Sequence, residues 1–426
     1  MDHLQTDQER RARWYSHTLP QYVPVEPARR PVDLVNPPEN TYTKAYSLPF
    51  EWLQRENDQE IPRDLLATVL DRHGFVVVSG VLNRTECKEA MELAWDWIEA
   101  ASLSELPLQT EELATTPPVS RKDPSTFSSV YFPRAVEGGM MPFYGSGHSS
   151  IAWKIRSHAN VKTVFSSLHE TPDLISSLDG IVMWRAGREH ATDKGWFHLD
   201  QNPILKPGQE CIQGLVNLID STSETGGNVM VAKSHRLFPS HYLDESNPCV
   251  EFYRTRLDEL AGDDWMEIDP NDDIILDPKN IISLLLKAGD FLLWDSRVAH
   301  CSYPGLGSSV EDDTRAGATA GANGLVRAAT IVSMMPTERA SEGVLLERKE
   351  AVHNSRTLTH WANKVAPLGQ ERPEHVALES ACVESMKRWQ QSQPSKVLLD
   401  FQDLTLDQKS LVVGNKLAQQ LESLEA

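Results

Sequence analysis

Between residues 181 and 335 the chain breaks into short runs of β-branched and aromatic residues, and this texture most constrains its fold. "IVMW" (181–184), "GWFHLD" (195–200), "CIQGLVNLID" (211–220), "NVMVAKS" (228–234), "IISLLL" (281–286), "FLLWDS" (291–296), "VAHCS" (298–302) and "VRAATIVSMM" (326–335) are each long enough for one strand. Turn-forming residues separate them, which predicts a sandwich or barrel of antiparallel type. Helical patterns flank this region. "PRDLLATVLDRHG" (62–74) places Leu65, Leu66, Val69 and Leu70 at helical spacing and stops at Gly74. A buried strand "FVVVSGVL" follows, then an amphipathic helix in "NRTECKEAMELAWDWIEAA" with Asn83 and Glu86 in capping-box register. Further helices are expected over 160–180 before a turn, 374–391 and 404–424. The expected organisation is a Pro-rich irregular arm over 1–60, a mainly β domain with leading helices over 61–336, and a helical extension over 337–426 packed on the core.

Composition narrows the partners. The formal charge of -20 opposes binding to phosphate backbones and disfavours polyanionic substrates. Neither nucleic acid nor a membrane is therefore expected as a partner, since no apolar run approaches the length of a span either. The amino terminus carries charges where a secretory signal would be apolar, so a cytoplasmic protein is expected. Five cysteines lie far apart without a CxxC pair and read as reduced thiols.

The chemistry centres on "GWFHLDQNP" (195–203). An HxD triplet alone is a common coincidence. In a strand, however, the period of two puts Trp196, His198 and Asp200 on one face, with Phe197 and Leu199 packed behind. A facial iron site needs one more histidine. His300 in "VAHCS" supplies a candidate, and Ser302 shares its face. Arg327 stands at the entrance of the strong strand 324–336 and could grip a carboxylate bidentately. Asn217 shares a strand face with Gln213 and could touch a co-substrate or substrate, or equally satisfy a neighbouring strand. Gln201, next to Asp200, is a candidate to orient the carboxylate. His235, His241, His353 and His360 read as structural, and His190 as a loop histidine.

In these residues the chain resembles the phytanoyl-CoA dioxygenase family of Fe(II) and 2-oxoglutarate dependent oxygenases. The likeness runs in order through "DRHGFVVVSGVLNRTECKEA" (71–90), His198-x-Asp200, "GGNVMVAKSHR" (226–236), the Gly289-Asp290 turn, His300-x-Ser302 and Arg327. It departs from the family at Ala232-Lys233, and in an insertion after His300 that brings in a rival arginine, Arg315.

The resemblance implies a double-stranded β-helix, a cupin-like jelly roll with flanking α-helices. It implies Fe(II) held by His198, Asp200 and His300, and 2-oxoglutarate anchored by Arg327, with Ser302 and Asn217 as further contacts. With O2 as oxidant, it implies hydroxylation, desaturation or cyclisation at an unactivated C–H bond of a small metabolite, with 2-oxoglutarate converted to succinate and CO2. Asp200 argues against the halogenating relatives, which replace this carboxylate with a small residue. Two alternatives are a cupin-like metalloenzyme that does not use 2-oxoglutarate and a non-catalytic binding module. The first leaves Arg327 and Ser302 unexplained, and the second would be expected to have lost a ligand. The loops 103–150, 236–280 and 305–324 are expected to build the mouth of the site.

Overall fold

The structure, a computed structural model, describes residues 21–24, 46–54, 64–105, 116–136, 139–185, 192, 195–260, 263–305, 324–368 and 373–425. Most of the Pro-rich arm, His190 and Arg315 lie outside the described residues. The strands are, in chain order, β1 (Gln21–Pro24), β2 (Ser47–Pro49), β3 (Phe75–Ser79), β4 (Met140–Met141), β5 (Leu174–Ser176), β6 (Ile181–Arg185) and β7 (His198–Leu199). They continue with β8 (Ile212–Asn217), β9 (Gly227–Val231), β10 (Met266–Glu267), β11 (Ile281–Leu285), β12 (Phe291–Asp295), β13 (His300–Tyr303), β14 (Leu325–Ile331) and β15 (Met334–Pro336). Sheets with helices before and after them agree with the expectation, and the architecture is mixed α/β.

The chain forms two compact units interleaved in sequence. One takes Met1–Gly80, Gly187–Gln213 and Asp220–Thr319, the other Val81–Ala186, Gly214–Ile219 and Ala320–Ala426.

The first unit holds a six-stranded sheet in the order β1-β11-β9-β13-β7-β10. All its pairings are antiparallel except β1 on β11. The register sets His300 of β13 opposite both His198 of β7 and Met230 of β9. The same unit pairs β3 with β2 in parallel and with β12 antiparallel. Helix Leu65–His73 leads into β3 and ends on Gly74 at φ +85. A Cβ there would lie 2.4 Å from Val298 Cγ2 and 2.6 Å from His235 Nδ1, so glycine meets both the left-handed turn and the close packing. His235 accordingly has a structural place, with its Nε2 2.8 Å from the carbonyl of Asp71.

Residues 236–280 correct the expectation of a loop. They carry helices Ser240–Leu243 and Val250–Glu259 and strand β10, and Tyr242, Tyr253 and Met266 join Trp196, Phe197 and Leu199 in one core cluster. Their polar sequence conceals a buried network: Asp272 accepts from Tyr253 Oη at 2.6 Å and lies 2.7 Å from His241 Nε2. Each side chain satisfies another, so residues that look solvated in the sequence are interior.

In the second unit the strand order is β8-β14-β6-β4, with β5 and β15 forming a separate pair. Its helix Arg84–Glu105 starts as the sequence predicts. Asn83 Oδ1 accepts the N–H groups of Thr85 at 2.9 Å and Glu86 at 3.0 Å, while Glu86 Oε2 accepts that of Asn83 at 2.8 Å. Helices Ser150–Arg156 and Glu342–His353 were not apparent from periodicity. The run 404–424, read as one helix, is two: Leu406–Val413 and Asn415–Glu425, separated by Gly414 at φ 78 and ψ 158. Buried Arg348 ties this tail to β5, donating to the carbonyls of Val412 at 2.9 Å, Ala362 at 2.8 Å and Ser176 at 2.5 Å. All five cysteines are buried free thiols, and among the described residues no helix is long and apolar enough to cross a membrane.

Candidate metal centre

Two neighbouring antiparallel strands supply the histidines. Strand β7 presents His198 and β13 presents His300 directly opposite it, with ring centroids 4.3 Å apart. The chain then turns out of β7, and the Asp200 N–H donates to the carbonyl of Ser296 at 3.2 Å. Although β7 is only two residues long, Trp196 still falls beside His198, its ring 4.8 Å away and nearly parallel at 7°. One ligand atom each from His198, Asp200 and His300 lies within 4.8 Å of the others, and this is the one such group found among the described residues.

The orientation of the rings follows from their hydrogen bonds. His198 Nδ1 is 3.2 Å from the carbonyl of Trp196, and His300 Nδ1 is 2.9 Å from that of Val298. A carbonyl can only accept, so each Nδ1 carries a proton, which leaves Nε2, on the other side of the ring, as the atom able to bind a metal. Both Nε2 atoms face the same carboxylate: His198 Nε2 lies 3.6 Å from Asp200 Oδ1, and His300 Nε2 lies 3.2 Å from Oδ2. Two imidazole Nε2 atoms and a carboxylate brought together in this way form a donor set that suits a divalent transition metal, and the carbonyl bonds behind the rings favour the ligating tautomer.

Sequence reasoning chose the wrong glutamine to hold the carboxylate. Gln201 points elsewhere: its Oε1 accepts from Ser296 Oγ at 2.6 Å, and its Nε2 donates to the carbonyls of Lys206 at 2.6 Å and Gly208 at 2.5 Å. Gln213, buried on β8, instead donates from Nε2 to Asp200 Oδ2 at 2.8 Å. The signal was the period of two that sets Gln213 on the same strand face as Asn217. Sequence adjacency favoured Gln201, but a bend follows Asp200 and turns the next side chain away.

Aromatic rings surround the triad. Besides Trp196, Trp265 lies 5.6 Å from His198 at 29°, and Trp294 lies 5.4 Å from His300. Ser302, two residues beyond His300 on β13, shares its face and is buried. The Gly289-Asp290 turn is closed by the Asp290 carboxylate, which accepts the N–H groups of Lys287 at 2.9 Å and Gly80 at 3.3 Å. Burial raises that carboxyl to about 6.

Arg327 and Asn217 belong to the second unit, on neighbouring strands. Asn217 lies opposite Ala329, and Arg327 is two residues from Ala329, so both project from one face of the β8-β14 pair. Asn217 Nδ2 donates to the carbonyl of Ile219 at 2.5 Å. Arg327 enters β14 at an irregularity of register, is buried, and has its guanidinium carbon 4.4 Å from the ring centre of Trp184. Burial lowers its pKa to about 9.

Residues 187–309 match the family model of phytanoyl-CoA dioxygenase, a span that includes His198, Asp200, Gln213, His300 and Ser302. The chain is 27% identical over 303 residues to the Ava biosynthesis cluster protein O of Aspergillus versicolor, covering 69% of this chain and 84% of that protein. It is 21% identical over 271 residues to a Dictyostelium discoideum protein described as a phytanoyl-CoA dioxygenase, covering 54% of this chain and 68% of that one. Among solved structures, the GlcNAc-inducible gene 2 protein of Candida albicans aligns over 89% of this chain and 85% of its own, at 14% identity and a TM-score of 0.46. The family match supports a dioxygenase-type function.

Proposed function

We propose, taking the likeness of residues 187–309 to the phytanoyl-CoA dioxygenase family as premise, that this protein is an Fe(II) and 2-oxoglutarate dependent oxygenase acting on a small molecule. One observation carries the reading: His198 and His300 both turn Nε2 toward Asp200, with each Nδ1 held at hydrogen-bond distance by a backbone carbonyl. The strands are read as following the double-stranded β-helix plan of the family, which the antiparallel run of β11, β9, β13 and β7 supports.

His198, Asp200 and His300 would hold the metal. Bound there, Fe(II) would supply the means to use O2 on an unactivated C–H bond while 2-oxoglutarate is decarboxylated to succinate and CO2. The protein's own part is positioning. Carbonyls 196 and 298 hold the imidazoles in the ligating tautomer, and Gln213 holds one Asp200 oxygen. Trp196 and Trp294 limit water around the rings. Arg327 is assigned the far carboxylate of 2-oxoglutarate, with Ser302 and Asn217 as further polar contacts; a carboxylate would offset the cost of a buried guanidinium. Asp200 occupies the position a halogenase leaves open, so hydroxylation, desaturation or cyclisation is the expected outcome. The biosynthesis-cluster relative accords with a metabolite as substrate.

The test is release of succinate from 2-oxoglutarate under air with Fe(II). His198→Ala and Asp200→Ala should each reduce it to background. Release persisting in either variant would show that the triad is not the metal site.

A further inference from the structure

The aromatic wall around the triad has one member that reaches solvent. Trp196 is 7% exposed and Trp294 is 4% exposed, whereas Trp265 is 37% exposed although its ring lies 5.6 Å from that of His198. Strand β10 explains its place. Met266 and Glu267 pair with Leu199 and His198, so the residue just before β10 falls beside the end of β7, where Asp200 leaves the strand.

A second apolar feature stands on the loop after Asp200. Ile204 and Leu205 are 57% and 60% exposed. They are held out by a built arrangement. Asn202 Oδ1 accepts the N–H groups of Ile204 at 2.9 Å and Leu205 at 3.0 Å. The same residue reaches the segment that carries Trp265, donating from Nδ2 to the carbonyl of Asp263 at 3.0 Å and from its N–H to Asp264 Oδ1 at 3.3 Å. Lys206 closes the loop on the Asp264 carboxylate, and Gln201 takes the carbonyl of Lys206 at 2.6 Å. Large apolar side chains exposed on a loop whose backbone Asn202 fixes, and which Asn202 joins to the segment of Trp265, mark a surface that a ligand covers.

We infer that Trp265, Ile204 and Leu205 form the substrate platform of this site, and that the substrate lays an uncharged, planar, unsaturated carbon framework on Trp265. This rests on the reading of the triad as a metal centre. An indole ring offers a flat π-face, which favours planar partners over saturated ones. The neighbouring exposed carboxylate of Asp263 disfavours an anionic one. Trp265 is thereby a specificity-determining residue that the sequence did not single out.

Indole and cyclohexanol serve as planar and saturated neutral probes for the full chain. In one arm Mn(II) is bound to the protein, its free concentration is followed by electron paramagnetic resonance, and relaxation of the probe protons reports binding beside the metal. In a second arm, without metal, saturation transfer from protein to probe reads binding directly. Indole should bind more tightly than cyclohexanol and be relaxed by Mn(II). Trp265→Ala should weaken indole binding about fivefold or more, as loss of a stacking ring does elsewhere, and Trp265→Phe should recover most of it. Should Trp265→Ala not fold, Leu205→Ser at a solvent-exposed position carries the test. Equal binding of the two probes, or indole affinity unchanged by these substitutions, would overturn the platform. Failure of the wild-type protein to bind Mn(II), or binding unaffected by Asp200→Ala, would strike the metal-centre reading instead, with the platform then decided by saturation transfer.

Discussion

Replacing Gln213 by leucine separates a metal centre from a chance cluster. Its amide donates to Asp200 Oδ2 at 2.8 Å, and the residue is 4% exposed, so water cannot readily take its place. A hydrogen bond to a charged acceptor contributes about 1.5–3 kcal/mol, and each 1.4 kcal/mol corresponds to about a tenfold change in affinity. Without that bond the carboxylate can rotate away from the two Nε2 atoms. Metal affinity should therefore fall roughly 10- to 100-fold, the range typical of groups that orient metal ligands. Titrating apoprotein anaerobically with Co(II), read by its visible absorption, measures this directly. The same loss takes a hydrogen-bond donor from Asp200 Oδ2, so the thermal midpoint of the apoprotein should also fall, and affinities are compared at a temperature where both proteins are folded. A Co(II) affinity within twofold of wild type, in a folded variant, would refute the claim that Gln213 holds a ligand.

Three further outcomes follow from other parts of the structure. Arg327→Gln should raise the concentration of 2-oxoglutarate needed for half-maximal succinate release by roughly 10- to 100-fold, since a charge-assisted carboxylate pair is lost; an unchanged requirement would move the anchor to Arg315. Glu379 accepts the N–H groups of Tyr144 at 2.5 Å and Gly145 at 2.9 Å, and burial raises its carboxyl from 4.5 to about 7. Because the folded value is the higher one, its stabilising contribution is complete below about pH 4.5 and is lost as pH rises through 7; urea titrations should show wild type losing stability relative to Glu379→Gln by at most about 1.4 kcal/mol per pH unit in that window. Asn83→Ala should cost about 1 kcal/mol in the same assay by removing the cap of helix Arg84–Glu105, and no measurable loss would count against the cap.

Much of the centre was legible because its geometry is local. His198 and Asp200 are two positions apart, and the Trp196 face follows from strand alternation; pairing them with His300 needed only a second strand. The cap at Asn83 and the stop at Gly74 were readable for the same reason, since each is set within four residues. What stayed hidden depends on tertiary contacts. Gln213 reaches Asp200 from a separate strand, while Gln201, the neighbour in sequence, is turned away by the bend at residue 200. The 236–280 segment looked like a loop because its Asp272–His241–Tyr253 network consists of polar residues that only burial makes structural. Trp265 carries no local signal in the sequence, because only the pairing of β10 with β7 sets its segment beside His198.

The central claim is that one protein site takes Fe(II) and 2-oxoglutarate together. Anaerobic absorption spectroscopy tests it most directly: protein, Fe(II) and 2-oxoglutarate combined should give a visible metal-to-ligand charge-transfer band that neither addition produces alone and that Asp200→Ala abolishes. No band at saturating Fe(II) and 2-oxoglutarate, or an undiminished band in Asp200→Ala, would contradict the account.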